Sequence, residues 1–309
     1  MVPAGRRPGI HTPKQSFPLQ RRGTPNTGEG ALRAAMTPLD ATLTPLAAGP
    51  AAAYFARMSF NVTADAYLQF MGLYSEPLAA SFADLAGVSD GQRVLDVGCG
   101  PGALTAELVR RAGADAVSAV DPSASFAAAT RERLPGTDIR LAPAEKLPFP
   151  DGTFDTVLAQ LVVHFMTDPV RGLREMSRVT RPGGAVAACV WDHASGRGPL
   201  SAFWQAVRET DPAADDESDL PGVREGQLAG LFAKAGMGQV LATTLTVRVS
   251  HASFEHWWNR FTLGVGPAGA YVTSLGADRR ALLRERCRRL LPASPFEVSA
   301  TAWAVVSRT

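Results

Sequence analysis

From Val94 onward the chain alternates between short apolar runs and stretches whose apolar positions recur every three to four residues. The runs are Val94–Val97, Ala116–Val120, Phe154–Leu161 and Ala185–Val190, and the helical spacing falls over residues 103–112, 124–133 and near 168–180. Strands alternating with helices predict parallel pairing through right-handed crossovers. Near-continuous apolar strands predict a sheet covered on both faces. Past Trp191 the pattern loosens into helices over 199–210 and 225–236 around an acidic loop at 211–219, then strands over Val240–Val249 and Glu297–Ser307. An insertion at 251–292, with at least two helical stretches, separates those two strands. Upstream, Tyr67, Phe70, Met71 and Tyr74 share a helical stripe that Leu78, Phe82 and Leu85 continue past Pro77.

Charge and composition divide the chain further. Residues 1–57 carry seven basic side chains against Glu29 and Asp40, whereas the whole chain of 309 residues has a formal net charge of only +2. The folded body is therefore mildly acidic and the front is a basic, Pro-rich tail that cannot bury enough surface to offset its ordering entropy. The expected division is a disordered tail over 1–57 and one domain over 58–309. That domain has a cofactor-binding core at about 90–192 and helical cap insertions at about 193–223 and 251–292. Met58 is also a candidate start of the native protein. Three widely spaced cysteines, Cys99, Cys189 and Cys287, suit a reduced, cytoplasmic setting. No apolar run reaches the length of a membrane span.

The chemistry concentrates at Val94-Leu95-Asp96-Val97-Gly98-Cys99-Gly100-Pro101-Gly102, between a predicted strand and a predicted helix. Glycines there permit a tight turn and close approach of a ligand to the backbone, at the carboxyl end of a strand where α/β sheets bind ligands. The spacing is G-x-G-x-G, unlike the G-x-G-x-x-G of nicotinamide sites. Asp96 before the turn suits a cationic or hydroxyl-bearing ligand better than a pyrophosphate. Asp121 closes the second strand, 23 residues after Gly98. A carboxylate there can accept from both hydroxyls of a ribose, or it can cap the helix that follows.

These stretches resemble the class I S-adenosylmethionine-dependent methyltransferases, in particular the branch with the ubiquinone/menaquinone-biosynthesis C-methyltransferases and many small-molecule enzymes. The matching segments run from Val94–Gly102 through Val120–Ser123, Ala144–Asp151, Phe154-Asp155 and Leu161–His164 to Glu175–Gly184, in the family's order. The resemblance implies a Rossmann-like, mostly parallel seven-stranded α/β sheet with helices on both faces, S-adenosylmethionine as cofactor, and methyl transfer to a small-molecule acceptor. It places Asp96, Gly98, Cys99, Gly100 and Gly102 at the methionine end and near the ribose. It puts Asp121 on the ribose hydroxyls, Ala144 and Glu145 beside the adenine, and Gln160 and Leu161 against the methionine. One position departs. Many relatives carry an acid where this chain has Pro143, so Glu145 or backbone N–H groups must serve the adenine.

The acceptor side is less legible. His164, just past the fourth strand, is the first candidate for a general base, because imidazole titrates nearest neutrality; packing beside Phe165 is the alternative. His193 is the second candidate. Asp155 and Asp168 read as a turn residue and a helix start, and no metal site is expected. Phe254, Trp257, Trp258 and Phe261 recur at i, i+3, i+4 and i+7, which fits core packing or a substrate wall. The Arg279–Arg289 cluster reads as a solvated helix face, and no nucleic-acid partner is expected. An apolar or aromatic acceptor under a helical cap is the leading expectation. A nicotinamide oxidoreductase and a non-catalytic S-adenosylmethionine-binding protein are the alternatives.

Overall fold

The computed structural model describes residues 63–309, and the expected tail and Met58 lie outside the described residues. A seven-stranded sheet organises the body in the order β3-β2-β1-β4-β5-β7-β6. The strands are β1 Val94–Val97, β2 Val117–Asp121, β3 Asp138–Leu141, β4 Phe154–Gln160, β5 Thr180–Trp191, β6 Val240–His251 and β7 Phe296–Arg308. All pairs from β3 through β5 are parallel, and β7 runs antiparallel to both β5 and β6. Strand order reverses between β1 and β4, the switch point beyond which a ligand crevice forms in open α/β sheets.

The apolar runs are continuous because both faces are covered. In β5, Ala185, Ala187, Cys189 and Trp191 join one core, and Val186, Ala188 and Val190 join the other. That is the two-residue alternation of a pleated strand with a core on each side. The first core is closed by a helix over Leu73–Ala86 and by Leu104 and Leu108 of the helix Ala103–Ala112. The second is closed by Leu173 and Met176 of the helix Pro169–Val179 and by Leu228 and Phe232 of the helix Gln227–Lys234.

Three local outcomes differ from the pattern reading. Strand β3 was not visible because Asp138, Arg140 and Leu141 are exposed and only Ile139 is buried, which is an edge position. Strand β5 begins at Thr180, earlier than its apolar run, with a register irregularity against β4 between Thr180 and Ala185. The upstream stripe is one interrupted helix: Ala64–Tyr67 is α-helical, Leu68–Gly72 widens to a π-helical turn, and Leu73–Ala86 continues with Pro77 inside it.

The 251–292 segment holds helices at Phe254–Trp258, Gly266–Ser274 and Ala277–Leu290. Its aromatic stripe is core. Phe254, Trp257, Trp258 and Phe261 are all buried, and Phe261 stacks on Phe203 at 4.4 Å between ring centroids. The arginines of the last of these helices reach surface acids, Arg284 and Arg288 to Glu255 and Arg286 to Glu209. Among the described residues no helix is long and apolar enough to cross a membrane.

Candidate active site

The glycine loop starts where β1 ends. Gly98 and Cys99 both donate their N–H to the carbonyl of Val120, at 2.8 and 3.0 Å, which pins the turn to the end of β2. Gly98 has φ +75°, and a Cβ there would lie 2.6 Å from both methyl carbons of Val162. Only glycine fits both the left-handed backbone and that approach. Gly102, at φ +88°, starts the helix Ala103–Ala112 with its back against Thr130. The Thr130 hydroxyl donates to the Gly100 carbonyl at 2.7 Å and fixes the loop from behind.

Around this loop lies a cleft of about 590 Å³, well within the range of small-molecule and cofactor sites. Asp96, Gly98, Cys99, Gly100, Asp121, Ala144, Glu145, Gln160 and Leu161 all line it. Gly102, the remaining position expected from the resemblance, is not among the lining residues and stands at the start of the next helix.

Asp121 is not a helix cap; Ser123 caps the next helix by accepting from the Phe126 N–H. Its two carboxylate oxygens accept instead from the N–H groups of Gly100 and Ser123, each at 2.8 Å. The carboxylate thus shapes the loop from the cleft side. Burial raises its pKa, against the lowering effect of those two N–H groups.

Asp96 is almost fully buried. Its Oδ2 accepts from the Thr105 hydroxyl at 2.6 Å, and its Oδ1 finds no partner. Burial pushes its pKa up to about 7, with the nearby Asp121 adding to the rise and the Thr105 hydroxyl opposing it. Gln160 shows the same imbalance. Its Nε2 donates to the Ser75 carbonyl at 3.0 Å, and its Oε1 has no partner. Leu161, next in sequence, is the one described non-glycine residue with positive φ, at +61°, a conformation that concentrates at functional sites.

On the opposite wall, Glu145 accepts from the Asp168 N–H at 3.1 Å. Cys99 is buried and its thiol is pushed well above the usual value, first by burial and then by Asp96 and Asp121. It fills the turn and is not a reactive thiolate.

His164 is not in the cleft. It sits behind Leu161, almost fully buried, with its ring 3.9 Å from that of Phe165 and its Nδ1 without a partner among the described residues. Burial, then the neighbouring His193, drives its pKa well below the usual value. His164 faces a small separate cavity of about 30 Å³, which His193 also lines. Two further lining residues escaped the sequence reading. Glu217 falls in a segment that reads as a solvated acidic loop, yet it is buried because its Oε2 accepts from the Trp204 indole at 2.9 Å. Tyr67 lies on an apolar stripe but reaches both cavities, and its hydroxyl pKa is pushed up to about 12 by burial, then by Asp121 and Glu217.

The arrangement matches known proteins along the same stretch. Residues 95–188 match the model of a methyltransferase domain. A putative methyltransferase from an antibiotic biosynthesis pathway of Anabaena variabilis shares the fold, at TM-score 0.51 and 17% identity, over 75% of this chain and 97% of that one. Residues 95–188 form a class I S-adenosylmethionine-dependent methyltransferase domain. An uncharacterized methyltransferase of Schizosaccharomyces pombe is 34% identical over 41% of this chain and 52% of its own length. A phosphatidylethanolamine N-methyltransferase of Cereibacter sphaeroides is 36% identical over 42% of this chain and 65% of its own. A ubiquinone/menaquinone biosynthesis C-methyltransferase of Geobacter sulfurreducens is 38% identical over 31% and 40%. The chain thus spans between about two fifths and two thirds of the length of these relatives. The methyltransferase domain carries both halves of the cleft, from the glycine loop after β1 to Leu161 after β4.

Proposed function

We propose that this protein transfers a methyl group from S-adenosylmethionine to a small-molecule acceptor. The observation that carries the reading is the pair of buried, unpartnered oxygen acceptors at the cleft, Asp96 Oδ1 and Gln160 Oε1. Leaving such groups unmatched is unfavourable by about 1–3 kcal/mol each. A ligand with a cationic amine at one end satisfies them; a pyrophosphate, itself an acceptor, does not. The methionine end of S-adenosylmethionine is such a ligand, so the residues fit the cofactor that the domain implies. The same observation counts against a nicotinamide dinucleotide.

In this reading Asp96 and Gln160 hold the amino-acid end of the cofactor. Asp121, shaped by Gly100 and Ser123, takes the ribose hydroxyls on its remaining lone pairs. Ala144 and the backbone around Glu145 face the adenine, since the Glu145 side chain is engaged with Asp168. When bound, the cofactor supplies a methyl carbon already activated by its sulfonium. The protein's task is then alignment of the acceptor and exclusion of water. His164 remains the candidate proton acceptor, as a neutral imidazole behind Leu161. The segments over about 193–223 and 251–292 act as a cap on the acceptor side. Buried, unpaired thiols at Cys99, Cys189 and Cys287 support a reduced, cytoplasmic setting.

The names of the relatives point to different acceptor atoms, nitrogen in one and carbon in another, so they leave the acceptor open. The test is calorimetry with S-adenosylhomocysteine and with NADH, followed by an acceptor screen that reads S-adenosylhomocysteine release. Micromolar-class binding of S-adenosylhomocysteine with no binding of NADH is expected. Comparable or tighter NADH binding overturns the proposal.

A further inference from the structure

The small cavity behind the cleft has its own chemistry. Its polar lining is Tyr67, His164, His193, Trp191 and Glu217, and its apolar walls include Phe70, Met71 and Pro267. It shares Tyr67, Leu161 and Phe165 with the large cleft, so the two spaces are separated by single side chains.

Its polar atoms are unbalanced in a specific way. The Trp191 indole is 2% exposed and its Nε1, a donor only, has no partner among the described residues. His164 is 1% exposed and its Nδ1 has none either. Glu217 is 4% exposed; one oxygen is taken by Trp204, and the other lies 4.0 Å from His193 Nε2, beyond a hydrogen bond. The cavity therefore presents the unused Trp191 donor beside groups able to accept. His164 is neutral at ordinary pH, because burial and then His193 disfavour its charged form, so one of its ring nitrogens is an acceptor.

A group that both accepts and donates fits this set. An ammonium cannot accept from the Trp191 indole, and a carboxylate has no proton to give to His164 or Glu217. A hydroxyl does both. The size agrees. One water needs about 10–15 Å³ of such space, so about 30 Å³ holds a hydroxyl and at most an atom or two of its frame, not a whole acceptor. The rest of the molecule must then lie in the large cleft, past Leu161 and Phe165.

We propose that this cavity is an acceptor subsite that selects a hydroxyl, accepting from Trp191 and donating to His164 or Glu217. The proposal rests on the methyltransferase reading of the large cleft, and it defines the acceptor class as hydroxyl-bearing, with phenol as the probe.

The test uses the full-length protein. S-adenosylhomocysteine is titrated first, alone, as the check on the function itself. With it saturating, phenol, toluene and benzylamine are titrated while the indole N–H signals of the five tryptophans are followed by nitrogen–proton correlation spectroscopy. The Trp191 signal is assigned from Trp191→Phe, or from selective broadening by a paramagnetic phenol analogue if that variant does not fold. Phenol should move the Trp191 signal downfield, the direction of a newly formed hydrogen bond, and toluene should not. Glu217→Gln combined with His164→Phe should weaken phenol at least fivefold and leave toluene within twofold. Equal responses to phenol and toluene overturn the subsite, as does benzylamine binding more tightly than phenol. If S-adenosylhomocysteine fails to bind while phenol still moves Trp191, the methyltransferase reading falls and the hydroxyl site stands.

Discussion

Replacing Asp96 with asparagine should stabilise the ligand-free protein and weaken its hold on cofactor. Asp96 is buried, and burial lifts its folded pKa from the ordinary 3.8 to about 7. A carboxyl with a raised folded pKa binds its proton more tightly when folded. Its stabilising contribution is then complete below pH 3.8 and is lost as pH climbs from there toward 7. At 1.36 kcal/mol per pH unit, the gap between 3.8 and about 7 amounts to about 4 kcal/mol. Asparagine keeps an acceptor for the Thr105 hydroxyl and does not titrate. The difference in unfolding free energy between Asp96→Asn and wild type should therefore grow in the variant's favour by about 4 kcal/mol between pH 4 and pH 8. In a domain of this size that corresponds to roughly 8–16 °C of melting temperature. Groups that titrate equally in both proteins cancel in the difference. The assay is denaturant unfolding of both proteins across that range, with calorimetric titration of S-adenosylhomocysteine at pH 8. Binding should fall by roughly 10–150-fold, the loss of a charged hydrogen bond worth about 1.5–3 kcal/mol. A stability difference that stays flat with pH, or that moves against the variant, refutes the argument from burial. Unchanged cofactor affinity refutes the placement of the amine.

In the wild type, S-adenosylhomocysteine affinity should rise between pH 5 and 7 with release of a proton, because the amine requires ionised Asp96; calorimetry in two buffers of different ionisation enthalpy measures this, and a pH-independent affinity would contradict it. Asp121→Ala should weaken the same ligand by about 1.5–3 kcal/mol, and it should also loosen the Gly100 and Ser123 N–H groups, readable as faster amide exchange at those two residues. Gly98→Ala should lose several kcal/mol of stability and most cofactor affinity. Adding Val162→Ala should restore only the steric part, since the left-handed backbone at position 98 still disfavours alanine by about 1–2 kcal/mol. Phe261→Ala removes a stacked core ring and should lower stability by about 3–5 kcal/mol with cofactor affinity unchanged.

What the sequence determined by itself was local. The runs over β1, β2, β4 and β5 were readable because strands buried on both faces must be apolar at nearly every position. The glycine loop was readable because its turn tolerates no Cβ at Gly98, and Asp121 because it closes the second strand at a characteristic distance from that loop. Strand β3 was hidden because an exposed edge strand needs only one buried residue, Ile139. Tertiary structure alone decided the surroundings of the small cavity. Glu217 looked like one more charge in a solvated loop until the Trp204 indole, a turn of helix and a loop away, buried it. His164 reads from the sequence as a residue at the strand end, and only the folded structure places it on the small cavity and not on the large cleft. The Trp191 indole belongs to a strand, and that it lacks a partner among the described residues is seen only in the folded structure. The reason is physical: backbone geometry and binary pattern are written within a few residues, whereas desolvation and hydrogen-bond balance depend on everything within a few ångströms, much of it far away along the chain.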